Sequence, residues 1–504
     1  MLTMEATQSE GARRLTLAAQ IGLLMGPFLS MMDSNIVNVA LPEIEHSLHS
    51  SLATAQWVIS GYLLALSAVL AASAYLAKRF GAVRIYLISL AGFTIGSALC
   101  AMAPNIQLLI VGRVLQGALG APLIPLAMSM IFGGGENSRE QGIPPVLGML
   151  LFLAPAIGPT IGGVLIHFFG WPSVFLVNVP IGLFGFAAAL RIPKVSSDKG
   201  NALVSFDAVG IVTLASGLTL AVYGTSNGSL HGWMSNASWP YWTSGGLSLF
   251  AYVFWSLRNP HPAVDIKLFR SARTVLAVAL CGLTSVVMFS IIVIVPVFME
   301  NVQNLSPLAA GLTLFPQALV MGGGIALGNK LSRRSGVRLC AMTGMLLLTL
   351  GSVALLLINK NTPPWITAFL LVFRGLGIGL VIQPVLWMVL RGLNADEAVD
   401  ATTLYNVSER LGGATGVALL STFLQARETD HMNQAVKAFR LSRAGSGAGS
   451  HTGLSVSEAV RAQLIHAAVQ GFHDTFWLLA AIAFVGFLGT LFLHSSGRPE
   501  AQSS

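Results

Sequence analysis

Stretches of about 20 mostly apolar residues are long enough to carry a helix across a ~30 Å hydrocarbon layer, and they recur throughout this 504-residue chain. They read at 15–41, 54–77, 84–104, 107–131, 142–167, 171–190, 206–226, 239–257, 273–298, 308–329, 338–358, 364–389, 405–425 and 474–494. That gives fourteen expected spans, with internal breaks at TSNGSLHGWMSNASWP (225–240) and MENVQNLSP (299–307). Only 10% of the residues are charged and 54% are hydrophobic, whereas an ordinary soluble domain carries roughly a quarter charged residues. Such a chain cannot cover a soluble surface, so the sequence predicts an all-α polytopic membrane protein held in a lipid bilayer. The 53 Gly and 22 Pro fit this, since membrane helices tolerate both. Cys100, Cys281 and Cys340 each fall in an apolar stretch, with no disulfide framework and no paired CxxC metal signature.

The basic residues orient the spans. With the N-terminus in the cytoplasm, 19 of the 28 Lys and Arg fall in inner loops, from Arg13 and Arg14 to Arg498. The positive-inside rule then predicts a multi-pass protein of the inner (plasma) membrane with both termini cytoplasmic. It also accounts for the net charge of +8, so no nucleic-acid partner is expected. Leu15 opens a long span, not the short apolar core of a cleavable signal. The one long outer loop is expected at 426–473. It holds a flexible GSGAGS (445–450) and a capping-box spacing, Ser455 to Glu458, ahead of an amphipathic helix.

An internal repeat divides the chain. LAKRFG (76–81) and LSRRSG (331–336) lie 255 residues apart, and Arg113 and Arg374 fall in corresponding later spans. The expected organisation is an N-terminal six-helix bundle at 1–200, two linker spans at 201–270 and a C-terminal six-helix bundle at 271–504. Such pseudo-symmetry marks secondary transporters, whose substrate site lies between the halves. No phosphate-binding loop, HExxH or GxSxG is present, so neither ATP-driven transport nor enzyme chemistry is expected.

Several residues stand out against the apolar background. Asp33 is the only charge between Leu15 and Pro42. An ionisable group inside a span is a functional candidate by default. Burial disfavours its charged form, so it can take up a proton and release it elsewhere; the alternative is a carboxylate bonded to Ser34 or Asn35 that only fixes the helix. Arg113 is a permanent charge inside the fourth span and needs acceptors, such as carbonyls, Gln116 or a carboxylate. In GMLLFLAPAIGPTIGG, Gly148, Gly158, Gly162 and Gly163 alternate with Pro155 and Pro159. Proline bends a membrane helix, and Gly158 with Gly162 makes a GxxxG face for close helix approach. A gate that seals between the halves is the functional reading, ordinary glycine packing the alternative. Glu300 and Glu409 are acids at span edges, each placed to attract a cation or to be solvated or ion-paired. Trp57 and Tyr62 are candidates for a greasy substrate pocket, or else core and lipid-facing, and Gln116, like Glu300 and Glu409, is a candidate for a substrate or second proton site.

Several stretches together resemble the drug:proton antiporter-2 family, the fourteen-span branch of the major facilitator superfamily. They are MMDSNIVNVALP (31–42), QWVISGYLL (56–64), LIVGRVLQGALGA (109–121), LAPAIGPTIGG (153–163) and FLVNVPIG (175–182). The resemblance spans essentially the whole chain, in order. It implies a major-facilitator-like fold of two six-helix bundles plus two extra central spans. It implies proton-coupled efflux of small amphipathic or cationic compounds, with Asp33 and Arg113 in proton coupling and the 153–163 motif in gating. The energy source would be the proton gradient, with no cofactor. The expected partners are the substrate, protons and lipid; the chain is expected to work as a monomer, and a periplasmic adaptor is left open. Two departures stand out. The inner loop AYLAKRFG places Lys78 where the family has an aspartate that latches the two halves, beside Arg79, Gly81 and Arg84; a weakened latch is expected. Glu409-Arg410 replaces the usual Arg-Gln. An exporter of one metabolite, such as a peptide, siderophore or amino acid, and a non-transporting sensor remain alternatives.

Overall fold

The computed structural model describes residues 16–132, 158, 161–193, 206–260, 262–267, 271–390, 393, 395–445 and 453–493. Among them the structure is helical throughout, with no strand. In chain order the main helices are α1 (Leu17–Ser47), α2 (Trp57–Phe80), α3 (Ala82–Ala101), α4 (Ile106–Gly120), α5 (Leu123–Phe132), α6 (Asn178–Ala189), α7 (Ala208–His231) and α8 (Trp239–Arg258). They continue with α9 (Ala272–Asn301), α10 (Pro307–Ser335), α11 (Val337–Ala354), α12 (Pro364–Leu390), α13 (Ala395–Gly445) and α14 (Gly453–Leu491).

The ends of these helices follow from local chemistry. Thr16 starts α1 by accepting a hydrogen bond from the Ala19 N–H, and Asn105 starts α4 in the same way from Leu108. Nine described stretches are long and apolar enough to cross a membrane, and α4 with α5 makes one of them (Ile106–Ile131). α1 is not among the nine because Gln20, Asp33, Ser34, Asn35 and Asn38 dilute its hydropathy. The expected span at 142–167 lies mostly outside the described residues.

The repeat has a clear structural counterpart. Gly81 ends α2 at φ +90°, and its N–H bonds the Ala77 carbonyl; Gly336 ends α10 at φ +88°, bonding Ser332. Both pairs sit 255 residues apart, and a positive φ explains why the motif ends in glycine twice. The apolar cores divide similarly. One cluster runs from Ala277 to Leu493, and two others lie mainly among residues 19–266.

The linker helices α7 and α8 form a hairpin that touches both sides. Trp57 of α2 stacks on Tyr223, and Trp233 donates to the Thr422 hydroxyl of α13 at 3.0 Å. Asp207 anchors this hairpin by accepting from the Gly210 N–H, the Trp255 indole and the Ala263 N–H.

The segment expected as the long outer loop departs from expectation. The segment 426–473 is not a loop with one short helix. α13 continues through it to Gly445, and α14 begins at Gly453. From Val417 to Ala444 there is no Gly or Pro, so nothing stops the helix until GSGAGS. At 51 residues, α13 is roughly 76 Å long at ~1.5 Å per residue, well over twice the hydrocarbon thickness. Asp474 ties the two arms together through Arg427 at 2.6 Å and His431 at 2.9 Å.

Candidate functional site

Asp33 is wholly buried on α1, and four helices converge on it. Arg113 of α4 donates to Oδ2 at 2.5 Å. Gln116, one turn further along α4, donates to Oδ1 at 3.3 Å. Asn178, the first residue of α6, donates to Oδ1 at 2.8 Å. From α2, Tyr62 lies under the guanidinium, 4.0 Å from its ring centroid to Cζ, and its hydroxyl meets the Ser30 hydroxyl. Arg113 also donates from Nε to the Val58 carbonyl at 3.0 Å and from Nη1 to the Gln116 amide oxygen at 2.8 Å. A buried ion pair persists only with good geometry and further hydrogen bonds, and these bonds supply them. Ser34 and Asn35 do not hold Asp33. Their side chains bond back to the Ser30 and Met31 carbonyls of α1.

Gln116 and Tyr62 therefore belong to the Asp33 centre, not to a separate pocket. Trp57 is 44% exposed and packs on the linker. Glu300 lies in the last turn of α9, away from the cavity described below. Of the glycine-proline stretch, Gly148, Pro155 and Pro159 lie outside the described residues. The GxxxG face is directed at α1 in the same half of the chain. A methyl on Gly158 would stand 3.2 Å from the Ile36 nitrogen and the Met32 oxygen, and one on Gly162 would stand 2.8 Å from Ile36 Cγ1. Gly163 faces open space.

Among the described residues the second half has no copy of the Asp33 pair. Arg374 is fully buried and donates to the Ser352 hydroxyl and the Val287 carbonyl, with no carboxylate among those residues. Glycine contacts explain why. Gly96 presses on Gln116, and Gly351, 255 residues later, presses on Arg374. Gly117 abuts the Tyr62 carbonyl, and Gly375 abuts the carbonyl of Gln317, again 255 residues after Tyr62. Arg374 thus stands where Gln116 stands, one turn from the counterpart of Arg113.

Between the halves lies a cavity of about 70 Å³. Met31, Ile124 and Met128 line it from one side; Cys281, Met288, Gln383, Tyr405, Asn406 and Glu409 are among those lining the other. Among the described residues Glu409 makes no ion pair with Arg374, which bonds elsewhere, and the charge acting on it is the adjacent Arg410. Arg410 in turn lies within electrostatic range of Tyr62 in the Asp33 centre.

Lys78 is not a broken latch. Its ammonium lies 2.5 Å from Asp400 at the start of α13, a carboxylate only 2% exposed. The same oxygen accepts from the Asp265 N–H at 3.3 Å, so the two halves and the linker meet at one carboxylate. Arg84 points to the exterior, and Gly81 forms the turn described above.

Sequence reasoning missed Asn178, Ser97 and Asp400. Asn178 donates to Ser97 at 3.0 Å as well as to Asp33. A lone asparagine in FLVNVPIG was the available signal for it. Asp400 was hidden in the acidic run NADEAVD beside a span.

Residues 23–205 and 207–417 match the family model described as Major Facilitator Superfamily. The Multidrug resistance protein B homolog of Mycobacterium tuberculosis is 28% identical over 491 residues, covering 95% of this chain and 89% of that protein. The Multidrug export protein EmrB of Haemophilus influenzae is 28% identical over 503 residues, covering 95% of each. The Tetracenomycin C resistance and export protein of Streptomyces glaucescens is 29% identical, covering 84% of this chain and 79% of that one. In fold, the chain is similar to the crystal structure of the human organic anion transporter MFSD10 (TETRAN), with a TM-score of 0.60 at 13% identity, covering 95% and 99% of the two chains. With matching models over most of its length and relatives named for drug resistance and export, this multi-pass membrane protein belongs to the Major Facilitator Superfamily of transporters.

Proposed function

We propose that this transporter exports small amphipathic, cationic compounds in exchange for protons, by alternating access. One observation carries the reading. A carboxylate, Glu409, lines a methionine-rich cavity formed by both halves and, among the described residues, makes no ion pair there, the adjacent Arg410 being the charge that acts on it. A lipophilic cation satisfies both features. Thioether side chains adapt to varied apolar shapes, and an unpaired buried acid favours a positive charge. The cavity is smaller than the roughly 300–1,000 Å³ of a drug-sized site, so binding requires the halves to part. The buried Asp33–Arg113 pair supplies a proton carrier apart from the substrate acid. The names of the relatives, multidrug and antibiotic export among them, support the substrate class.

On this reading residues 1–200 and 271–504 are the two moving bundles, 201–270 is the linker, and both termini face the cytoplasm. The proton gradient is the energy source and no cofactor takes part. The test uses full-length protein in proteoliposomes, with ethidium as the cationic probe. Glu409→Gln should weaken apparent ethidium affinity roughly tenfold, the size of one charge-assisted contact. Unchanged affinity for ethidium and for other lipophilic cations would remove Glu409, and the cavity reading with it.

A further inference from the structure

We propose that Asn178 is the switching partner of Asp33. Its carboxamide donates to the ionised carboxylate and, after a half-turn, accepts the hydrogen bond of the protonated acid. This rests on the reading of Asp33 as the proton carrier.

An ionised carboxylate only accepts hydrogen bonds, whereas a carboxylic acid must also place one O–H. In a dry site that O–H needs a protein acceptor, or protonation carries the cost of an unmet donor. Several groups around Asp33 are already engaged. The Gln116 amide oxygen receives Arg113 at 2.8 Å and the Cys100 thiol at 3.8 Å. The Ser97 hydroxyl donates to the Phe175 carbonyl at 2.9 Å and accepts from Asn178. Tyr62 engages Ser30, and the Ser34 hydroxyl and Asn35 amide donate to carbonyls of α1 itself, with no bond to Asp33. The charged and titratable groups facing the site are Arg113 from α4, Tyr62 from α2, Cys100 from α3 and, through Tyr62, Arg410 from α13.

One acceptor beside Asp33 is unused among the described residues. Asn178 is 0% exposed, and its Oδ1 is buried with no hydrogen-bond partner among those residues. Its Nδ2 lies 2.8 Å from Asp33 Oδ1 and 3.0 Å from Ser97 Oγ. A half-turn of the amide puts the oxygen where the nitrogen was, facing Asp33. In both orientations Asp33 keeps its bond to Asn178 and one amide atom is left unpaired; after the half-turn the Ser97 hydroxyl donates to the amide oxygen in place of the Phe175 carbonyl. Neither protonation state is trapped, which a reversible carrier requires.

The experiment is infrared difference spectroscopy of the full-length protein in lipid, titrated with acid and base, with no substrate. The carboxylic C=O band missing from Asp33→Asn belongs to Asp33. In Asn178→Leu, which is similar in volume but has no polar atoms, that band should move up, because the acid's O–H loses its acceptor while Arg113 and Gln116 still donate to the carboxyl group. Proton-driven ethidium accumulation should also fall at least about tenfold, the size of one lost charge-assisted bond. If Asn178→Leu fails to reach the membrane, the smaller Asn178→Val gives the same readout. An Asp33 band that stays in place in these variants overturns the role of Asn178 while leaving Asp33 as carrier. No band lost in Asp33→Asn overturns both.

Discussion

At the scale of single residues, the distinction between Asp33 and Glu409 organises the molecule. Both are acids on membrane helices, but their surroundings differ. Asp33 is enclosed by Arg113, Gln116 and Asn178, whereas Glu409 opens into a cavity. A fully bonded acid can exchange a proton yet cannot easily receive a bulky cation; an unpaired one can. Asp33→Asn should therefore fold, since an amide costs less to bury than a carboxylate, and Arg113 keeps the Val58 and Gln116 oxygens. It should lose accumulation driven by a pH gradient while substrate-for-substrate exchange continues. Arg113→Leu is the harsher change, because it leaves a buried carboxylate uncompensated, typically at a cost of about 3–5 kcal/mol. Counterflow and gradient-driven uptake, measured in the same liposomes, separate these outcomes. Near wild-type gradient-driven uptake in Asp33→Asn would leave Asp33 a helix-fixing group.

At the scale of helices, close approach decides what a substitution does. Gly162 touches Ile36 of α1 one turn from Asp33, but the neighbouring Gly163 faces open space. Gly162→Leu should push α1 aside and reduce transport severalfold, while Gly163→Leu should leave it near normal. Equal effects from both would mean that the close approach of Gly162 to α1 does not decide transport. The contrast was not readable from GPTIGG, where the two glycines look alike. Other features of the helices were readable. Apolar length marked most of the spans, and the paired glycines 81 and 336 marked matching turns. Asp33 stood out because nothing else charged shares its span, and Arg113 with Gln116 followed from its need for acceptors. What the sequence hid was partnership at long range, since Asn178 is 145 residues from Asp33 and apolar periodicity carries no information about which helix faces which. The outer hairpin was hidden differently. Its polar composition read as loop, although the absence of Gly and Pro from Val417 to Ala444 was the better guide.

At the scale of the whole molecule, Lys78–Asp400 is the contact that joins the halves at one end. Glu409 lies nine residues along α13 from Asp400, about 13 Å at ~1.5 Å per residue, so the bridge stands between the cavity and that side of the membrane. The linker shares the bond through the Asp265 N–H, so on the alternating-access proposal all three parts of the chain adjust together when this end opens. Because the family's aspartate is replaced by Lys78, restoring an aspartate here does not rebuild a latch. Lys78→Asp sets two carboxylates against each other and should open this end. Asp400→Lys should do the same with two ammonium groups. Breaking a buried pair costs about 3 kcal/mol or more, enough to shift the ratio of closed to open forms roughly a hundredfold. Cys281 offers a native reporter, since its thiol lines the cavity and is 3% exposed. With Cys100 and Cys340 changed to Ala, maleimide labelling of Cys281 from the Lys78 side should rise sharply in either single variant. It should return toward the original rate in the double exchange Lys78→Asp with Asp400→Lys, because the pair is re-formed with its charges reversed. Labelling that stays low in both single variants would show that the halves are held by the apolar packing around α13, with the ion pair only lying across the seam.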